Sequence, residues 1–286
     1  MGGKFKPMEV EQIFRDIVYS DSGQKLDLYL PAYVTGQVPL IVYIHGGAFK
    51  GGDKDRAAQP YPQGLAGRKT LVQVIPPGYV FASINYRLSG EATFPAQIHD
   101  CKAAIRWLRA HADEYHIDPA RIGVWGASAG GHLAALLGTS GGNKELEGTG
   151  GNPQFSSSVQ AVCDHFGPTN LVRMSEMLGQ IDIENNESLY IGGPLKKNLE
   201  KANLANPITH IKEKTPPFLI IHGDSDVLVP SDQSRILYEA LVKAKVTASL
   251  HIIPGAGHGF AGATRQQIDE IDRLTVDFFN KYLSNQ

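Results

Sequence analysis

The chain has 286 residues, 42% of them hydrophobic, and its 27 Lys and Arg nearly balance 29 Asp and Glu for a formal net charge of −2. That balance provides no polyanion-binding surface, so nucleic acid is not an expected partner. No apolar run approaches the roughly 20 residues that span a bilayer, and the opening Met1-Gly2-Gly3-Lys4-Phe5-Lys6 lacks a secretory apolar core, so no membrane partner and a cytoplasmic location are expected. A secreted form with its signal removed would carry the same sequence.

Two strand patterns open the chain, around Ile13 to Tyr19 and Lys25 to Leu30, with the hairpin turn signal Asp21-Ser22-Gly23 between them. Leu40 to Ile44 then reads as a buried strand that runs into His45-Gly46-Gly47-Ala48-Phe49, a form of the H-G-G-G loop with alanine in the third place. Tyr79 to Asn85 is the next strand. Pro95 to Ala112 is a helix, its apolar residues Ile98, Cys101, Ile105 and Leu108 recurring at spacings of three and four. Arg121 to Trp125 is a strand, and Gly126-Ala127-Ser128-Ala129-Gly130 follows it and opens into the apolar helix around His132 to Leu137. This is the G-x-S-x-G nucleophile elbow in its strand-turn-helix setting, with glycines supplying the room that a side chain would occupy.

Ser140 to Ser158, rich in Gly, Asn and Ser, reads as a mobile loop, and Val159 to Cys163 as a strand. The stretch 167–207 interrupts the alternation with short helical pieces carrying Met174, Met177, Leu178 and Leu189. It follows the carboxyl end of a strand and is expected to be a small cap whose methionines give the pocket adaptable apolar walls. Pro217 to Ile221 is a strand ending in His222-Gly223-Asp224-Ser225-Asp226-Val227-Leu228-Val229-Pro230, followed by a helix over Ser231 to Ala244. Thr247 to Ile253 is the last strand, and it leads to Pro254-Gly255-Ala256-Gly257-His258-Gly259-Phe260 and a closing helix over Thr264 to Tyr282. The alternation predicts one α/β domain over 1–286, a doubly wound and mostly parallel sheet with the small cap insertion, and ligands at the carboxyl ends of its strands.

The loops at those ends carry the chemistry. Ser128 is the candidate nucleophile. A serine hydroxyl needs a base, and His258, set among glycines after the last strand, is the candidate. Asp224 and Asp226 compete as the acid that orients the histidine. The spacing H-G-x-x-D-x-x-V-P matches Asp226 and leaves Asp224 as a residue that holds its loop through local backbone bonds. The H-G-G-G resemblance makes the backbone N–H groups of Gly47 and Ala48, joined by that of Ala129 at the helix start, the expected oxyanion hole. His45 and His222 are read as holding loops, and Cys101 and Cys163, without metal spacing, as small buried hydrophobes.

Taken with Asn85-Tyr86-Arg87-Leu88, Asp118-Pro119-Ala120-Arg121-Ile122 and the second glycine at Gly130-Gly131, these motifs resemble those of the α/β-hydrolase esterases. Within them the chain is similar to the hormone-sensitive-lipase-like carboxylesterases, and to the compact branch of acetyl xylan and feruloyl esterases, over nearly its whole length. The resemblance implies hydrolysis of short-chain carboxylic esters, a small-molecule substrate, and neither cofactor nor metal. An amide hydrolase of the kynurenine-formamidase type would use the same residues, and a non-catalytic ligand-binding hydrolase fold is the alternative from another class. A prolyl-oligopeptidase-type enzyme shares Gly130-Gly131 but adds a propeller for which this chain has no room.

Overall fold

Alternation along the central strands sorts the core into two layers. On β3 (Val38–Ile44), Leu40, Val42 and Ile44 face one layer, while Ile41 and Tyr43 face the other. The computed structural model describes residues 7–32, 34–59 and 70–284, so the opening Met1 to Lys6 lies outside the described residues. Among the described residues, eight strands form one sheet: β1 (Val10–Val18), β2 (Lys25–Pro31), β3, β4 (Val80–Ile84), β5 (Ile117–Ala127), β6 (Ala161–His165), β7 (Phe218–Gly223) and β8 (Ala248–Ile253). Their spatial order is β1-β2-β4-β3-β5-β6-β7-β8. The β1–β2 and β2–β4 pairings are antiparallel and every other pairing is parallel, as the α/β pattern predicts.

One layer packs α1 (Ala96–Ala110), α2 (Ala129–Thr139) and α7 (Asp232–Lys243) on the sheet, and the other packs α8 (Arg265–Leu283) with the turns around Ala57 and Val72. Burying both faces accounts for the near-continuous apolar runs of β3 to β7. Among the described residues, no helix is long and apolar enough to cross a membrane.

Two stretches depart from the sequence-based expectation. Residues 140–158 are pinned to α1 through a short helix, α3 (Lys144–Glu147). The fully buried Lys102 ammonium bonds Glu147 at 2.7 Å and the Ser140 carbonyl at 3.0 Å, Arg106 bonds the Glu147 carbonyl at 2.9 Å, and Ser157 donates to Glu147 at 2.7 Å. Two buried cations need a paired anion, and this loop supplies it. Between β6 and β7 lie three short helices, α4 (Leu171–Met177), α5 (Asn186–Ile191) and α6 (Leu199–Leu204). Met174 is buried in the core, however, and Met177 is exposed.

Candidate active site

The turn from β5 to α2 bends within a single residue. Ser128 sits at φ 56°, ψ −123°, a conformation rare for a residue with a side chain. The tightness explains both glycines. A Cβ on Gly126 would collide with the Gly130 carbonyl, and one on Gly130 with the Ile44 carbonyl. The Ser128 N–H donates to the His165 carbonyl at 2.9 Å, which ties the elbow to β6.

The strand ends bring Ser128, His258 and Asp226 into one line. Ser128 Oγ lies 2.9 Å from His258 Nε2, and His258 Nδ1 lies 2.7 Å from Asp226 Oδ2. With Nδ1–H donating to the carboxylate, Nε2 is left to accept from the serine hydroxyl. The second carboxylate oxygen, Asp226 Oδ1, accepts the N–H groups of Leu228 and Val229, each at 2.9 Å. Burial would raise the Asp226 pKa, but hydrogen bonds from His222 and His258, with the Val229 N–H, outweigh it and hold the carboxyl well below the usual carboxylate range. Asp224 instead accepts from the Gly255 N–H at 2.7 Å and from Ser225 at 2.9 Å, which is the loop-holding geometry expected of it.

His222 does hold its loop, bonding the Val229 carbonyl at 2.8 Å and Ser234 at 2.7 Å. Its Nε2 also comes within 3.3 Å of Asp226, a contact the sequence reading did not foresee. Phe166, just past β6, packs edge-on against the His258 ring at 5.0 Å.

The loop after β3 runs through three positive φ values, Gly47 at 129°, Ala48 at 55° and Phe49 at 61°. Glycine is required at 47, where a Cβ would strike the Gly51 carbonyl. The N–H groups of Gly47, Ala48 and Ala129 make no hydrogen bond among the described residues. Two aromatic clamps hold the loop. Tyr86 stacks on the His45 ring at 4.5 Å and donates to the His45 carbonyl at 2.9 Å. Phe49 stacks on Tyr190 of α5 at 3.9 Å, and Ser89 donates twice to the Phe49 carbonyl. Burial lowers the His45 pKa to about 4, so the ring is neutral.

Beside these groups lies a cavity of about 350 Å³ whose wall includes Ser128, His258, Tyr43, Phe166, Leu228 and Arg56. None of its described lining residues comes from 167–207, so the expectation that the methionines wall the pocket is not met. That segment reaches the site through Tyr190 behind Phe49. Among the described residues, no cluster of three or more His, Cys, Asp or Glu side chains is placed to hold a metal ion. Beneath the elbow, Asp164 is fully buried and pushed by desolvation to about 6, against the Gly167 N–H that bonds it at 2.9 Å.

The parallel sheet, the elbow and the strand-end loops define an α/β-hydrolase. The family model described as BD-FAE matches residues 26–241, and the chain belongs to that family. Among curated proteins it is similar to esterase LipQ of Mycobacterium tuberculosis, 34% identical over 276 residues, covering 92% of this chain and 61% of the relative. The chain spans 53–61% of the length of the first curated relatives it matches. Among solved structures, a truncated carbohydrate esterase from gut microbiota superposes with a TM-score of 0.81 at 31% identity, covering 96% of this chain and 99% of the other. A propionate-bound thermophilic esterase from Thermogutta terrifontis superposes with a TM-score of 0.71 at 27% identity, covering 99% and 98%.

Proposed function

We propose that the chain is a serine carboxylesterase acting on short-chain carboxylic esters through an acyl-enzyme. The observation that carries this reading is the unbroken relay from Ser128 through His258 to Asp226. In it, Ser128 attacks the ester carbonyl carbon as its proton passes to His258 Nε2, and the carbonyl electron pair moves onto oxygen. The N–H groups of Gly47, Ala48 and Ala129 receive that oxyanion, and each such donor typically contributes about 3 kcal/mol to the transition state. Collapse expels the alcohol, which takes the proton from His258. Water then adds to the acyl carbon with His258 as base, and the acid leaves. Asp226 holds the imidazole tautomer and stabilises the imidazolium throughout.

The apolar walls and modest cavity favour a small acyl group. The likeness to a carbohydrate esterase supports acetyl or feruloyl esters of plant polysaccharide as the substrate class. Esterase names among the relatives favour esters over formamides, and the complete relay argues against a non-catalytic binding protein. Residues 1–286 are read as a single domain with its insertion at 167–207. A cytoplasmic location is retained as the default, with Cys101 and Cys163 buried and not joined in a disulfide, and a secreted form is the alternative.

The test is hydrolysis of 4-nitrophenyl acetate, butyrate and octanoate, acetylated xylan, methyl ferulate and N-formylkynurenine, each with Ser128→Ala as control. Turnover falling with chain length, and at least about a thousandfold lower in the folded Ser128→Ala protein, is the expected result. Faster turnover of the formamide than of every ester would overturn the ester reading.

A further inference from the structure

The wall of the cavity beside Ser128 and His258 carries a cation that the reaction does not use. Arg56 is exposed and sits on the turn Lys54–Ala57, just after the Gly47–Ala48 loop. The other charged groups of that turn are engaged. Lys54 is matched by Asp16 at 3.0 Å, Asp27 at 3.3 Å and Asp53 at 3.6 Å. Asp53 accepts from Asn85 at 2.8 Å and from the Asp55 N–H at 3.0 Å, and the Asp55 carboxylate accepts from Gln59 at 2.6 Å. Among the described residues, no carboxylate lies within ion-pair distance of Arg56. The same cavity is lined by the aromatic or aliphatic side chains of Tyr43, Phe166 and Leu228.

A guanidinium at the edge of an apolar cavity fits one kind of substituent. Its planar fork matches a carboxylate in two parallel hydrogen bonds, a geometry that water or a neutral ester group does not reproduce. We infer that Arg56 is a specificity-determining residue that selects esters carrying a carboxylate on the acyl or the alcohol part. The carboxylate sits against the guanidinium while the ester carbonyl lies at Ser128. This inference rests on the esterase reading.

The test compares wild type, Arg56→Gln and Arg56→Lys on two substrate pairs. Mono-4-nitrophenyl adipate and its methyl ester probe a carboxylate on the acyl part, and 4-acetoxybenzoate and its methyl ester probe one on the alcohol part. In one pair, the acid-to-methyl-ester ratio of kcat/KM is expected to fall about tenfold in Arg56→Gln, to be partly restored in Arg56→Lys, and to shrink in wild type as salt is raised. The pair that responds identifies which part of the ester bears the carboxylate. A ratio unchanged by Arg56→Gln in both pairs overturns the inference and leaves the esterase reading standing. Wild type inert towards every ester overturns that reading, and the inference with it.

Discussion

At Ser128 the backbone holds a conformation that few non-glycine residues adopt, and it does so because glycines at 126 and 130 let β5, β3 and α2 close around it. This part of the site was legible in the sequence because an elbow is local: spacing and the strand before it suffice. The choice between Asp224 and Asp226 also rested on spacing, and the geometry separates them plainly. Asp226→Asn is expected to lower kcat about a thousandfold or more, since an amide oriented by the Leu228 and Val229 N–H groups presents the wrong partner to His258 Nδ1. Asp224→Asn keeps an oxygen for the Gly255 N–H and should cost less than about tenfold. Steady-state kinetics on the two purified variants decides, and equal losses would contradict the assignment. The approach of His222 to Asp226 was not legible, because it depends on how the loop curls rather than on residue type.

At the scale of elements, the short helices between β6 and β7 reach the loop from behind rather than walling the cavity. The Tyr190 ring of α5 lies flat on Phe49, whose positive φ continues the run through Gly47 and Ala48, the proposed oxyanion donors. Among the described residues the buried Tyr190 hydroxyl has no hydrogen-bond partner, so the ring rather than the oxygen is what supports the loop. Tyr190→Phe should therefore keep near wild-type kcat, whereas Tyr190→Leu, by loosening the loop, should lower kcat about tenfold with little change in KM. Equal effects of the two substitutions, or a loss confined to KM, would contradict this. The sequence showed short helical pieces between two strands but not which side of the strand ends they pack on. Residues 140–158 differ from the sequence-based expectation for another reason. Polar composition suggested mobility, yet Lys102 and Arg106 fall on the same buried face of α1 as Ile98, Cys101 and Ile105, and that placement already called for an anion such as Glu147.

Over the whole molecule, hydrophobic periodicity made the sheet and its helices legible, while the buried charges that set its pH behaviour depend on tertiary packing. Burial lowers His45 and His132 to about 4 and raises Asp164 to about 6. Between pH 6 and 4 the unfolded chain binds two protons on these histidines that the native state refuses, and the native state keeps one on Asp164 that the unfolded chain releases. The net of one proton makes stability fall as pH drops, by about 1.4 kcal/mol per unit. Partly buried His210 and His251, also lowered by desolvation, act in the same sense, and Glu187, raised by burial, opposes them. Asp226, held low, adds its own loss only in stronger acid, below the ordinary carboxylate range. Urea unfolding at pH 7 and pH 4.5 checks this, and greater stability at pH 4.5 would contradict it. The most direct test of the account is covalent trapping. The enzyme is inactivated with diethyl 4-nitrophenyl phosphate and the adduct is located by peptide mass spectrometry. The account predicts one diethylphosphoryl group, on Ser128, forming in step with the loss of esterase activity and absent from Ser128→Ala. An adduct on another residue that tracks the loss, or full activity with Ser128 modified, would contradict it.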